Sequence, residues 1–145
     1  MENNKLVIKG VKLLFIEVKD KDFGSSIVID ATEPTIKKTI EDYCAAISYS
    51  PKFKDYAQKD GSTTTQFAVK ISKYIRVQDQ DGNDYDLDGL ETNLRNIKLA
   101  YGATISFVAS PYNYKNKFGE GTSLAVSAIK VEKGAEIKDD MSLLA

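Results

Sequence analysis

The 145-residue sequence contains no histidine, no tryptophan and a single cysteine, Cys44. Without histidine, a Ser-His-Asp triad, a Cys-His pair and most zinc sites cannot be built. One cysteine cannot form an intramolecular disulfide, so folding depends on no oxidising compartment. Magnesium chemistry on carboxylates alone stays open. The sequence therefore predicts a protein that is not an enzyme and that holds no metal or cofactor.

Long apolar segments are also missing. No run of about 18 apolar residues is present, as a membrane-spanning helix would need, and the N-terminus has no apolar core of a secretion signal. We therefore expect a cytoplasmic protein without membrane contact. The apolar and charged fractions, 42% and 28%, are those of an ordinary globular domain, and the length predicts one such domain.

The net charge of −1 hides an uneven distribution. Residues 79–91 hold six acids and no base, and residues 132–145 hold four acids and two bases. The two remaining segments, 1–78 and 92–131, both carry more bases than acids. A mildly basic body with two acidic patches remains compatible with nucleic-acid binding, since the location of the charge matters more than its sum.

Alternating apolar residues predict a mainly β fold. The predicted strands cover residues 5–19, 26–30, 66–77, 101–110 and 122–131. Gly10 inside the long first strand indicates a bulge or bend, as a strand shared by two sheets needs. Because helices do not alternate with these strands, we expect a small Greek-key barrel rather than a parallel sheet.

Helical spacing appears once clearly and once weakly. Residues 33–48 predict an amphipathic helix with Thr32 as its N-cap and Pro34 in the first turn. Cys44 lies on the apolar stripe and is interpreted as a small buried hydrophobe. Residues 88–98 predict a short helix or an irregular turn.

The segment between the last two strands, residues 111–121, is unusually aromatic for a hairpin loop. It contains Tyr112, Tyr114, Lys115, Lys117 and Phe118. Exposed rings are unfavourable in water, whereas rings beside lysines suit a flexible polyanion whose bases have flat faces. This segment is predicted to contact single-stranded nucleic acid.

Two further groups mix aromatic and basic residues. The predicted loop 49–65 contains Lys52, Phe53, Lys54 and Tyr56, which either contact the ligand or plug the space beneath the loop. The predicted outer face of strand 66–77 presents Lys70, Tyr74 and Arg76. That face is either a stacking platform or an ordinary solvated surface.

The acidic segment 79–86 has only a superficial likeness to a calcium loop. With Gly82 in the sixth position, the first position falls on Val77, which has no side-chain oxygen. A hairpin tip explains the segment better. A carboxylate-metal nuclease using Asp79, Asp81, Asp84 and Asp86 remains the less favoured alternative, because a hairpin tip does not enclose its ligand.

Taken together, the Gly-interrupted first strand, the closing hairpin GATISFVASPYNY…NKFGEGTSLAVSAIKV and the acidic C-terminus resemble bacteriophage single-stranded DNA-binding proteins of the OB-fold type. The resemblance implies a five-stranded OB-fold over residues 1–132, with one α-helix, and a flexible acidic tail over 133–145. It implies coating and protection of single-stranded DNA in phage replication or recombination, in the host cytoplasm.

By position, the resemblance assigns DNA binding to the last hairpin and to the sheet-face group Lys70, Tyr74 and Arg76. Replication or recombination proteins are the implied partners of the tail, and a homodimer is possible. The tail, however, has only two adjacent acids, Asp139 and Asp140, and lacks a terminal aromatic residue. The alternative function is that of a small β-barrel protein-interaction module in a replication or assembly complex, since tyrosine also leads protein interfaces.

Overall fold

The computed structural model describes residues 5–18, 25–117 and 119–135. Seven strands and two helices follow one another in this part of the chain. Their order is β1 (Leu6–Glu17), β2 (Ser26–Asp30), α1 (Pro34–Ala46), β3 (Lys52–Ala57), β4 (Thr63–Gln78), β5 (Asp84–Tyr85), α2 (Leu87–Asn93), β6 (Thr104–Asn116) and β7 (Gly119–Lys133).

Five of these strands close into a ring. β1 pairs antiparallel with β2 and with β6, β6 pairs antiparallel with β7, and β2 pairs antiparallel with β4. A parallel pairing of β4 with β7 completes the ring. The predicted mainly β fold with five ring strands is therefore confirmed. Two short strands, β3 and β5, add to β4 outside the ring, and α2 adds a second helix to the one predicted.

Gly10 marks the bend in β1. Its φ of 69° lies in the region that glycine enters without steric cost, and the pairing with β6 shifts register between Ile8 and Val11. One residue is thereby inserted, so that Leu6 and Ile8 are buried before the bulge and Val11 and Leu13 after it. The bend lets one strand serve two neighbours along its length.

Helix α1 closes one side of the core with Ile40 and Cys44. Burial raises the pKa of the Cys44 thiol to about 11, so the thiol remains protonated at neutral pH, and the prediction of a buried hydrophobe is confirmed. The N-cap is Glu33 rather than the predicted Thr32. The Thr32 hydroxyl instead bonds the Asp30 carboxylate and accepts from the Thr65 amide.

Both predicted aromatic loops are strands. Residues 52–57 form β3, which pairs antiparallel with the first part of β4. The last hairpin continues as a ladder to Asn116 and Gly119, so residues 111–121 are a strand-turn-strand rather than a loop. Both segments lack apolar alternation because they bury little surface, and they are held by backbone pairing to a neighbouring strand.

The end of the described chain is ordered beyond the predicted domain boundary. β7 runs to Lys133, and the buried Ala135 donates its amide to the Lys98 carbonyl at 2.9 Å. Residues 136–145, which hold most of the predicted tail, lie outside the described residues, and the tail remains a prediction. Within the described ranges, no helix has the length and apolarity needed to cross a membrane.

Candidate nucleic-acid interface

Strand β4 has different neighbours along one of its edges. β2 occupies one edge of β4 at residues 66–70. The other edge is shared by two strands: β3 pairs with residues 63–68, and β7 pairs from Lys70 onward. β7 must therefore leave β4 where β3 begins. Beyond that point, residues 111–116 and 119–124 pair only with each other. We name these residues, with the turn residue Lys117, the hairpin arm.

Two tyrosines lie on the same face of the hairpin arm. Tyr112 lies opposite Ser123 and Tyr114 opposite Gly121, and their side chains are 39% and 44% exposed. The Tyr114 ring lies against the Gly121 backbone, since a β-carbon there would be 2.8 Å from the Tyr114 hydroxyl oxygen and 3.1 Å from its Cζ. Gly121 thus provides the space that the ring occupies.

Tyr112 of the hairpin arm lies near Tyr49, in the segment that leads into β3. The pKa of Tyr49 is raised mainly by burial, and to a smaller extent by its neighbours Cys44 and Tyr112. Tyr49 precedes β3 by three residues and packs against the core. Tyr112, at the base of the hairpin arm, is therefore within electrostatic range of Tyr49.

The side chains of β3 divide between two faces. Lys52, Lys54 and Tyr56 are exposed, and the Lys54 Nζ lies 5.1 Å from the centre of the Tyr56 ring. Phe53 turns towards the core, where its ring centre lies 5.4 Å from that of buried Phe67. Of the four predicted residues of this segment, three share the solvent face and Phe53 does not.

Cross-strand register defines the surface that joins β3 to the rest of the sheet. Residues directly opposite each other in a ladder share a face. Lys70 lies in one outward row, and Lys52 lies in the next. The first row reads Glu17, Ser26, Lys70, Ala125 and Ser110, and the second reads Phe15, Val28, Ala68 and Lys52. We name the outward side chains of these rows, with Lys54 and Tyr56, the sheet face.

Tyr74 and Arg76 belong to a different surface from Lys70. The pairing of β4 with β7 shifts register between Ile71 and Arg76. Within this irregular stretch, the Tyr74 amide donates a hydrogen bond to the Ser72 hydroxyl. Tyr74 is 76% exposed beside Lys73, whose Nζ lies 5.1 Å from its ring centre. Lys70, Tyr74 and Arg76 all point outward from β4, but the irregular pairing after Ile71 separates Lys70 from the other two, and their shared role in DNA binding remains a prediction.

Carboxylates surround this second surface. The Arg76 Nη2 lies 3.4 Å from the Asp84 Oδ2, and the depression beside Tyr74 is lined by Asp84, Tyr85 and Asp86. We name Lys73, Tyr74, Arg76 and these acidic neighbours the β5 face. Arg76 is already paired with a carboxylate of the same protein, and Lys73 borders the same depression.

The acidic segment is a hairpin tip, as predicted. The Asp79 Oδ1 accepts from the amides of Asp81 and Asn83, and its Oδ2 accepts from the Asn83 Nδ2 and the Tyr85 hydroxyl. Hydrogen bonds, above all from the Asn83 amide, lower the Asp79 pKa. Among the described residues no group of three acids, histidines or cysteines is arranged to hold a metal ion. The Asp79 carboxylate is used to shape a turn.

The remaining predicted residues lie near the tip of the hairpin arm. Lys115 and Lys117 are exposed, and Lys115 lies opposite Glu120. Phe118 lies outside the described residues. Two residues that the sequence interpretation missed also stand out by exposure, namely Lys73 and Phe15. Phe15 carries no local sequence signal, because a register shift between Leu13 and Phe15 decides which way it faces.

Comparison with known proteins identifies the fold. No protein-family model matches the chain, and a search of curated proteins finds no match either. Among solved structures, the single-stranded DNA-binding protein from bacteriophage Enc34 superimposes with a TM-score of 0.65 at 16% identity, over 94% of this chain and 85% of that one. The chain has the fold of the phage single-stranded DNA-binding proteins.

Two further structures agree. The Enc34 protein in complex with single-stranded DNA gives a TM-score of 0.61 at 16% identity, over 94% of this chain and 90% of that one. The gp2.5 single-stranded DNA-binding protein of bacteriophage T7 gives 0.51 at 14% identity, over 95% and 91%. The predicted OB-like fold is therefore confirmed across nearly the whole chain.

Proposed function

We propose that this protein binds single-stranded DNA without sequence preference. The observation that carries the proposal is the grouping of Lys52, Lys54, Lys70, Tyr56 and Tyr112 around the point where β3 replaces β7 beside β4. Cations and exposed rings close together on one surface are what a flexible polyanion with planar bases requires. The shared fold with DNA-binding phage proteins supports the same function.

Two kinds of contact divide the work in this proposal. The lysines of the sheet face and the hairpin arm neutralise phosphates and release counterions, which makes affinity depend on salt. The tyrosines stack on bases, and each stacked base contributes roughly 1–3 kcal/mol whatever its identity. Neither contact needs a catalytic residue, so the lack of histidine is no obstacle.

The proposed role is to coat and protect single-stranded DNA during phage replication or recombination, in the host cytoplasm. Such a role needs broad, sequence-independent affinity rather than readout of base edges, and the interface offers rings and lysines for it. The acidic C-terminus is proposed to contact replication or recombination proteins. A homodimer is compatible with this role.

A titration tests the proposal. The full chain is added to fluorescein-labelled oligo-dT, to the matching duplex and to mixed-sequence single strands, at several salt concentrations, with anisotropy as the readout. We expect tighter binding to single strands than to the duplex, little dependence on sequence and affinity that falls steeply with salt. No binding to any single strand at low salt would contradict the proposal and favour a protein-interaction module.

A further inference from the structure

The ring of Phe15 is exposed on a strand that pairs on both sides. Phe15 lies near the end of β1, and 51% of the residue is accessible to solvent. A single exposed hydrophobic residue is common and means little alone. Its neighbours therefore decide whether this ring has a role.

Register places Phe15 on the sheet face rather than elsewhere on the ring of strands. It lies opposite Val28, Val28 lies opposite Ala68, and Ala68 lies opposite Lys52. Three strand spacings, roughly 14 Å, separate the backbones at the two ends of this row. Only the short side chains of Val28 and Ala68 lie between, so the row is a shallow floor with a ring at one end and an ammonium at the other.

The neighbouring rows show how charge is distributed across this floor. In one, Glu17 on β1 faces Lys70 on β4 across Ser26. In the other, Asp30 on β2 precedes Gln66 and Lys54. The lysines of these rows lie on the β3–β4 side, so phosphates are attracted to that side, whereas the side that holds Phe15 offers an aromatic ring.

We infer that Phe15 stacks on a base of bound single-stranded DNA, with the phosphates held on the lysine side of the sheet face. This inference rests on the proposed function and adds the orientation of the bound strand, whose bases would point from β3 and β4 towards β1. A base has a π-face and no charge, so it suits an aromatic ring, whereas a phosphate needs a cation. Bases in a duplex are already stacked, which makes the contact selective for single strands.

Three variants test the role of the ring. Phe15→Leu keeps an apolar side chain and removes the π-face, and Phe15→Tyr keeps the ring. Val7→Ala is the matched control, because Val7 is 46% exposed on the same strand but lies in a different row, with Val108, Ala128 and Arg76. Each variant is titrated against oligo-dT and against an abasic deoxyribose-phosphate strand of equal length.

The expected result separates stacking from folding and from charge. Phe15→Leu weakens oligo-dT binding roughly five- to a hundredfold, the range of one stacked base. It leaves the salt dependence and the abasic affinity unchanged, while Phe15→Tyr and Val7→Ala bind like the wild type. Wild-type affinity of Phe15→Leu for oligo-dT, or equal weakening towards both strands as misfolding would cause, overturns the inference. If the wild type itself binds no single strand, the proposed function fails first and the inference with it.

Discussion

The two halves of strand β4 carry similar residues in opposite surroundings. In the first half, Lys70 lies among Ser26 and Ala125 and close to the lysines of β3. In the second half, Tyr74 and Arg76 lie beside the acidic hairpin tip, and Arg76 is paired with Asp84. Both halves have cations and an exposed ring on or beside them, but the ion pair with Asp84 belongs to Arg76 in the second half.

This difference shows that composition alone does not define a binding surface. An exposed cation already next to a carboxylate must exchange one partner for another, so it adds little affinity for phosphate. The sheet face and hairpin arm are therefore expected to bind DNA, and the β5 face is not. The first two variants below are each paired with a variant of the β5 face.

The largest effect is expected from the double variant Tyr112→Ala/Tyr114→Ala. Loss of two stacked bases removes roughly 2–6 kcal/mol of binding free energy if the contributions add, which is at least about thirtyfold in affinity. Tyr74→Ala, on the β5 face, is expected to bind like the wild type. Anisotropy with oligo-dT measures both, and circular dichroism checks folding. An equal loss of DNA affinity in the two variants would contradict the proposed difference between the two halves of β4.

The second effect is expected in the salt dependence of DNA affinity. Lys52→Ala/Lys54→Ala removes two phosphate contacts, so the slope of log affinity against log salt should become shallower by about 1.4 for a single strand. Lys73→Ala/Arg76→Ala removes the same charge from the β5 face and should leave the slope unchanged. Titrations between low and moderate salt give both slopes. An unchanged slope in the first variant would place the phosphates elsewhere.

A smaller effect is expected from Gly121→Ala. The added methyl group would overlap the Tyr114 side chain, because the Tyr114 hydroxyl oxygen lies only 2.8 Å from the β-carbon position. The ring must lift from the arm, and DNA affinity should fall by a few fold. The fold should persist, because the displaced atoms are the end of a movable side chain.

The smallest effect on DNA binding is expected from Asp79→Asn, which should instead alter stability. The folded-state pKa of Asp79 is lowered by its hydrogen bonds, so the carboxylate stabilises the fold above the unfolded-state pKa near 3.8. That stabilisation is lost as the pH falls through the folded-state value. Thermal melts of the variant and the wild type should differ at pH 7 and converge at acidic pH. A constant difference at all pH values would contradict a role of the charged form.

Much of the fold could be predicted from side-chain alternation, because ring strands bury one face. Residues 66–77, the last hairpin and α1 were recognisable in this way, as was the bend at Gly10. β3 and the hairpin arm were not, since both faces of these segments are largely exposed and only backbone pairing holds them. No periodic pattern marks such strands.

The candidate site was predictable by residue type and less so by position. Lysines and tyrosines in polar segments indicated Lys52, Lys54, Tyr56, Tyr112 and Tyr114. The register shift after Leu13 decided that Phe15 joins the sheet face, and the irregular pairing after Ile71 separates Tyr74 from Lys70 along β4. A one-residue shift reverses which face a side chain occupies, and nothing in the local sequence reports it.

The location of the DNA tests the central claim most directly. Oligo-dT is added to the ¹⁵N-labelled full chain, and amide shifts are followed by NMR. We expect the changes to concentrate in β3, in residues 66–70 and in the hairpin arm, with a further group around Phe15. Changes confined to residues 73–86 would place the DNA on the β5 face and would contradict this account.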